Sequence, residues 1–420
     1  MAAMHYLPSI DVAPVKPGGN DRGSYPPAFL EYAWYLSLFY TMLGSAWGIV
    51  IPAVGGALWV IVAASCFLSV SRQGLWVYRP VALALSTGIL LIAIQLVFHQ
   101  ESQRALGEGI FIVGWLALLI IVQTLSLRPG FLQRFALVGL AIGFACVPYI
   151  SMSDAGGIAR AKAVGTGISN GNALGMWFGF CTVYFLFWGF QCQKPILRVI
   201  SWIVAVGCLY IVALTVSRAP VLAIAVACVI GFRSSLKRSF VPLLSFVLLI
   251  GLIYVSGIFD TEIGYYLARG AEKTGRETLF SRGLERVIDS PWIGVGLGEI
   301  AMYSQRGNRY FNPHNGLLHI ALGGGIGPLI CYLGYLIRVI GGAFQIMRRV
   351  HVGEAALLPP LVAYALFEIM MLDVVFMSPW TVVVFGLVAS AYQAGGLQRW
   401  GTVSVQGMQD SGRSLSNNKE

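Results

Sequence analysis

The chain has 420 residues, of which 57% are apolar and only 11% charged, with a formal net charge of +10. So few polar side chains cannot cover a soluble globule of this length, which excludes a water-soluble enzyme and leaves an integral membrane protein. The cations are spread over short connections and form no basic face, so no nucleic-acid partner is indicated.

Residues 1–28 are polar and rich in Pro and Gly, and read as a disordered cytoplasmic tail without a cleavable signal peptide. Residues 29–396 form the polytopic membrane domain. Mostly apolar runs of about 18 residues or more, long enough to cross a bilayer, occur there about twelve times. Their approximate bounds are 33–51, 52–70, 81–98, 109–127, 131–150, 172–190, 196–216, 220–232, 240–258, 316–340, 355–377 and 381–394. The eighth is short. Residues 397–420 read as a second cytoplasmic tail.

Alternate connections carry the cations: Arg72 and Arg79, Arg128 and Arg134, Lys194 and Arg198, then Arg233, Lys237 and Arg238, then Arg348 and Arg349. The positive-inside rule places these in the cytoplasm with both termini, as orientation signals that touch anionic headgroups. The connections after Phe98, Ile150, Val216 and Ile258 then face outward. All seven cysteines lie in or beside apolar runs, so neither a disulfide framework nor a zinc spacing is expected.

The one larger outward loop, residues 259–313, carries Arg269, Lys273, Arg276, Arg282, Arg286, Arg306 and Arg309 against seven carboxylates. The signs balance, so anion recognition there depends on individual placement. Thr274-Gly275-Arg276-Glu277 fits a capping box that opens a helix ending at Ser290-Pro291. Phe280, Leu284, Val287 and Ile288 give it one apolar face, to lie on the bundle or in the headgroup layer. Arg276 in the first turn adds a bidentate donor to a helix end that already favours anions. The competing reading is an ordinary surface helix with a solvated arginine.

His314 is expected in the first turn of the next apolar helix, with Asn312 as cap and Pro313 at the first helical position. The positive helix end keeps an imidazole neutral and able to take a proton, which makes His314 a candidate general base. Its competing role is a structural histidine bonded to a carbonyl, the reading preferred for His319. Gly323, Gly324, Gly325 and Gly327 permit close packing or a kink.

Arg218 stands in the outward turn Thr215–Pro220, against the positive-inside trend, and an ionisable group at membrane depth is a functional candidate. Arg160 and Lys162 precede the Gly/Ser/Asn-rich stretch Gly165–Asn172. Glu368 and Asp373, in the outer half of the eleventh run, are expected to pair with an arginine. The chain has no Asp-x-Asp, so a metal-bridged nucleotide-sugar site is not expected. Gly294–Gly298 follows no strand of a βαβ unit, and Gly167–Gly171 lies between membrane runs. The dinucleotide fingerprint and the nucleophile elbow are therefore both rejected.

Together these motifs resemble the bacterial O-antigen ligase and O-antigen polymerase superfamily, most strongly over residues 274–329. Gly275-Arg276 opens a helix, Pro291-Trp292-Ile293-Gly294-Val295-Gly296 follows it, and His314-Asn315 starts the next membrane helix. Thr215–Arg218 is similar to the family's Ser-Arg turn, and Arg160 with Gly165–Asn172 to its earlier outward Arg…Gly…Asn loop. Asn170-Gly171-Asn172 departs from the family's frequent Asn-Pro-Asn.

The resemblance implies an all-α integral membrane protein, like C-type glycosyltransferases, with a periplasmic active site in a bacterial inner membrane. It implies a donor glycan on undecaprenyl diphosphate, a sugar hydroxyl as acceptor, inversion, and neither cofactor nor metal. His314 would be the base. Arg218 and Arg276 would hold the diphosphate, with Arg160 and Arg282 next in rank, and Asn315, Glu368 and Asp373 in support. Implied partners are the lipid-linked oligosaccharide, membrane lipids, and chain-length-regulating and export proteins. A surface-polysaccharide polymerase is preferred over a ligase acting on lipid A–core. A lipid-linked glycan flippase is a third reading, disfavoured because the buried charges cluster near one face. A rod-shape peptidoglycan polymerase would need an essential outer-loop aspartate, for which Asp260 and Asp289 are only generic candidates.

Overall fold

The computed structural model describes residues 26–44, 46, 52–72, 79–154, 159–235, 264, 276–304, 309–350, 353–371, 376 and 378–393. The two tails, the ninth apolar run, most of 259–275 and Asp373 lie outside the described residues. The helices in order are α1 (Ala28–Leu43), α2 (Pro52–Arg72), α3 (Arg79–Phe98), α4 (Gln103–Leu125), α5 (Phe131–Cys146), α6 (Gly171–Gln191), α7 (Pro195–Leu214) and α8 (Arg218–Ser235). They continue with α9 (Arg276–Asp289), α10 (Gly316–Gly324), α11 (Ile326–Arg349), α12 (Leu358–Met371) and α13 (Pro379–Gln393). Among the described residues, seven are long and apolar enough to cross a membrane: α3, α4, α5, α6, α7, α11 and α12, with the short 3₁₀ turns that extend α5 and α12. This is consistent with a multi-pass, mostly helical membrane protein.

Two antiparallel hairpins, which the sequence reading did not anticipate, interrupt the helices. The strand β1 (Ile150–Asp154) pairs with β2 (Ala159–Ala163), and β3 (Met302–Ser304) with β4 (Arg309–Phe311). Both lie in segments expected to be extramembrane.

At the centre stands α6, buried over 83% of its apolar window against 28% for α7. Its glycines explain the position. A Cβ at Gly179 would overlap the Tyr364 hydroxyl of α12, and one at Gly175 would meet Pro220 of α8 at 2.9 Å. Small residues let helix backbones approach, which is how helices pack where lipid supplies no hydrophobic drive. The gap at Gly179 is filled by Tyr364, whose hydroxyl donates to the Met176 carbonyl at 2.8 Å.

The connections gather at two ends. At one end, Glu31 is fully buried and accepts from Arg128 Nη1 at 2.6 Å and Arg134 Nε at 2.7 Å. The Tyr35 hydroxyl adds a third bond at 2.8 Å. Arg128 and Arg134 were expected to serve orientation and headgroups; their guanidinium groups also bind α1 to the α4–α5 turn and the start of α5. Removing one partner of a buried ion cluster leaves uncompensated charge, at a cost of about 3–5 kcal/mol. Glu31→Ala is expected near the lower end of that range, because Arg134 stays 34% exposed. A thermal-unfolding midpoint unchanged in Glu31→Ala would show that the cluster contributes nothing.

At the other end, Gln95 Oε1 accepts from Leu297 N at 2.7 Å, and His99 Nε2 lies 3.1 Å from the Ile293 carbonyl. These bonds lay the Pro291–Gly298 segment across the top of α3. The expected tenth run is two helices, not one. Gly325, at φ 75°, ends α10 and starts α11. Val295 N donates to Leu322 O and Ile326 N to Pro291 O, at 2.7 and 2.8 Å. A Cβ at Gly294 would overlap the Leu322 carbonyl, so the two glycine-rich motifs are halves of one close backbone contact.

Candidate functional site

The hairpin end carries most of the candidate residues. Helix α7 stops at Leu214, and Val216 takes φ 47°. A β-branched residue in the left-handed region is strained, and such strain persists only where the surroundings over-determine it. Here they do. The Thr215 hydroxyl donates to Val212 O at 2.7 Å and accepts from Ser217 N at 3.3 Å. Ser217 Oγ donates to Asn172 Oδ1 at 2.8 Å. Arg160, on β2, donates from Nε to Thr215 O at 3.1 Å and from Nη2 to Asn172 Oδ1 at 3.3 Å.

Arg160, Asn172, Thr215 and Ser217 therefore form one frame that joins β2, the start of α6 and the α7–α8 turn. Asn170 caps α6, accepting from Asn172 N at 2.7 Å, so Asn170-Gly171-Asn172 supplies both the cap and the frame. Gly171 is required, because a Cβ there would meet the Ala161 carbonyl at 3.0 Å. Arg160 acts here on the protein itself, ordering the turn that carries Arg218.

Arg218 is the first residue of α8 and half-buried. Its Nη2 is buried with no hydrogen-bond partner among the described residues. A buried cationic donor without an acceptor is costly, and such an atom at a strained turn marks a place for an anion.

His314 departs from the expected placement. The cap of α10 is Asn315, not Asn312: its Oδ1 accepts from Leu318 N at 3.0 Å, and the helix begins at Gly316. Neither Pro313 nor His314 is in the first turn. His314 is the residue before the cap, at φ 53°, with its ring 6.4 Å from Phe311. Asn315 is extended and its side chain reaches Leu318 N, so the helix starts after it and His314 makes the turn before it. The first-turn dipole argument for His314 thus falls, while its place at the mouth of α10 stands. Asn315 Nδ2 also donates to Met370 O at 3.2 Å, tying this mouth to the end of α12. Since α8 packs along α12, the Arg218 and His314 segments flank the same helix.

Glu368, on α12, is fully buried, but its partners among the described residues are not arginines. Its Oε2 accepts from Trp380 Nε1 at 2.6 Å and lies 3.5 Å from the Thr381 hydroxyl, so it joins α12 to α13. The expectation of an arginine pair came from charge alone and missed the indole donor twelve residues on. His319 is buried as expected, with Nε2 3.6 Å from Glu108 Oε2.

Arg276 opens α9, while its side chain, with Thr274 and Gly275 of the expected capping box, lies outside what is described. The burial of α9 differs from its apolar pattern. Leu279 and Gly283 face the bundle, with Gly283 against Leu318 of α10, while Phe280, Leu284 and Ile288 remain 45%, 47% and 66% exposed. Of the expected apolar face only Val287 packs on the bundle; the other three residues do not. Arg282 donates from Nη1 to Tyr303 O at 3.3 Å and so tethers the β3–β4 hairpin. A groove of about 450 Å³ opens between this hairpin and α9.

Sequence reasoning missed the Asn172–Ser217 bridge, the strain at Val216 and the tyrosine pair of the second hairpin. The hairpins were the findable part. Ala-Arg-Ala-Lys-Ala alternates with period two, and short runs flank Gly307-Asn308. Among the described residues no group of three or more His, Cys, Asp or Glu could hold a metal ion.

Apolar spans with a polar, hydrogen-bonded frame at one end, an arginine nitrogen without a partner among the described residues and a histidine at a half-helix mouth describe a multi-pass membrane protein with a polar site at one end. Residues 203–333 match the family model described as O-antigen ligase, a stretch that holds the Ser217-Arg218 turn, α9 and His314-Asn315. The match bears out the resemblance to the O-antigen ligase and polymerase superfamily and implies a glycosyl-transferring enzyme. No curated protein matches the chain.

Proposed function

We propose that the protein is a metal-independent inverting glycosyltransferase that moves a glycan from undecaprenyl diphosphate to a sugar hydroxyl, as a surface-polysaccharide polymerase. The observation that carries this is the buried, unpartnered Nη2 of Arg218 at the strained turn. A guanidinium so placed binds a phosphate oxygen with a charge-assisted bond, and in a dry site such a bond stabilises charge that grows on a leaving group. The acceptor oxygen attacks the anomeric carbon as the bond from that carbon to the diphosphate oxygen breaks. The proton of the acceptor passes to His314, and the diphosphate leaves with the bonding electrons. Arg276 shares the diphosphate with Arg218. Arg282 stands next in rank, and Arg160 contributes by holding the turn.

The O-antigen ligase description of the matched family favours a second reading, transfer of a finished chain to lipid A–core. Supplying each acceptor separately, lipid-linked repeat or lipid A–core, to purified protein with lipid-linked donor separates the two by which product forms. EDTA is expected to leave either reaction unchanged; loss that magnesium restores would contradict the metal-independent mechanism.

The site is proposed on the periplasmic face, in a bundle of about twelve spans with both termini cytoplasmic, from the loop cations. Exposed Glu285 on α9 and exposed Lys194 before α7 provide the check. In a background without native cysteines, Glu285→Cys is expected to react with an impermeant thiol reagent in spheroplasts, and Lys194→Cys only after lysis. The reverse pattern would place the site in the cytoplasm.

A further inference from the structure

The groove between α9 and the β3–β4 hairpin shares Arg282 with the proposed diphosphate set, but its other lining residues have no part in the chemistry above. Its walls include Glu285, Arg286, Asp289 and Glu299 on one side and Tyr303 and Tyr310 on the other. The tyrosines are directly paired in the hairpin register, with ring centroids 5.6 Å apart and planes at 67°. Both are exposed, at 44% and 55%. Arg104 of α4 lies 4.4 Å above the Tyr310 ring, which fixes that ring from the α4 side. Arg282 holds the hairpin by Tyr303 O, and Arg286 Nη1 donates to Glu299 O at 2.7 Å, so both walls are braced.

We infer that this groove binds uncharged sugar rings of the transferred or accepting glycan. A pyranose ring has an apolar C–H face and a rim of hydroxyls. Exposed aromatic rings match the face, while carboxylates and guanidinium groups accept from and donate to the rim. The volume falls within the range of about 300–1,000 Å³ usual for small-molecule sites. Other ligands fit less well. Three carboxylates against Arg282 and Arg286 leave the wall net negative, which disfavours a phosphate or an acidic sugar, and a lipid tail would bury charged groups without partners. The groove also stands in the right place: α9 packs through Gly283 on Leu318, one turn beyond the cap that follows His314.

The inference rests on the glycan-transfer reading, and its test separates the two. Full-length protein in nanodiscs is mixed with neutral repeat-unit oligosaccharides released by mild acid from the host's own surface polysaccharide. Saturation-transfer NMR should show their ring protons contacting the native protein. The Tyr303→Ala/Tyr310→Ala double variant should weaken that binding at least tenfold, with an unchanged unfolding midpoint. The double Phe variant should retain it. In the transfer assay the Ala pair should raise KM for glycan with kcat nearly unchanged, and Arg218→Ala should stop transfer while the NMR signal persists. Absence of signal with native protein, or undiminished signal in the Ala pair, overturns the groove as a sugar site. Tyrosine-dependent binding by a native protein that transfers no glycan to either acceptor would overturn the proposed function and leave the groove standing.

Discussion

Arg218→Ala is expected to abolish glycan transfer while membrane abundance and thermal stability stay normal or improve. The direction on stability follows from the structure: Nη2 is buried without an acceptor, so removing the guanidinium relieves a desolvation cost and breaks no bond described here. The effect on rate is the opposite. The arginine is proposed to bind the departing diphosphate, where loss of one well-placed donor typically costs about 10²–10³-fold, and loss of a full charge costs more. Lysine should rescue only in part, because it lacks the planar fork that meets two phosphate oxygens. Arg276→Ala should act in the same direction. Transfer at native rate by both alanine variants, measured with purified lipid-linked donor, would remove the diphosphate clamp.

His314→Ala should lower transfer by about 10²–10⁴-fold, the usual cost of deleting a general base. Donor binding should be largely kept, since the arginines remain. Protonation disables a base, so the native rate should fall as pH is lowered through the histidine's titration, and that limb should vanish in the variant. The left-handed backbone at φ 53° adds a control. His314→Asn, which tolerates that conformation better than most residues, should fold as well as native protein and still lose the rate. If His314→Asn turns over within a few-fold of native protein, the histidine shapes the turn and the proton goes elsewhere.

Much of the helical layout was legible in the sequence, because membrane helices declare themselves by length and apolarity. What was not legible were features set by pairing across the chain. The break at Gly325 depends on Val295 and Pro291 bonding to Leu322 and Ile326, the backbone on either side of it, and a run of glycines alone allows either a kink or close packing. For Arg128 and Arg134 nothing local reveals that Glu31, about a hundred residues earlier, is their acceptor. For the site, the motifs singled out Arg218 and His314, but not the geometry around them. Asn312 and Asn315 are equally good caps on paper, and the choice between them moved His314 out of the helix. The bond from Arg160 to Thr215 O was not legible either, because a carbonyl acceptor has no side-chain signature.

The seam between α10 and α11 has a mechanical consequence. A continuous helix from Gly316 to Arg349 would tilt as a rod when the bilayer thins or thickens, carrying its outer tip with it. Gly325 uncouples the two pieces, and the backbone bonds from Val295 to Leu322 and from Ile326 to Pro291 hold the short one to the extramembrane strap. The depth of Asn315 and its neighbour is thereby referenced to the protein's own surface and not to the lipid. The long helix is left to absorb hydrophobic mismatch, and the residues at the mouth keep their height while the membrane around them changes.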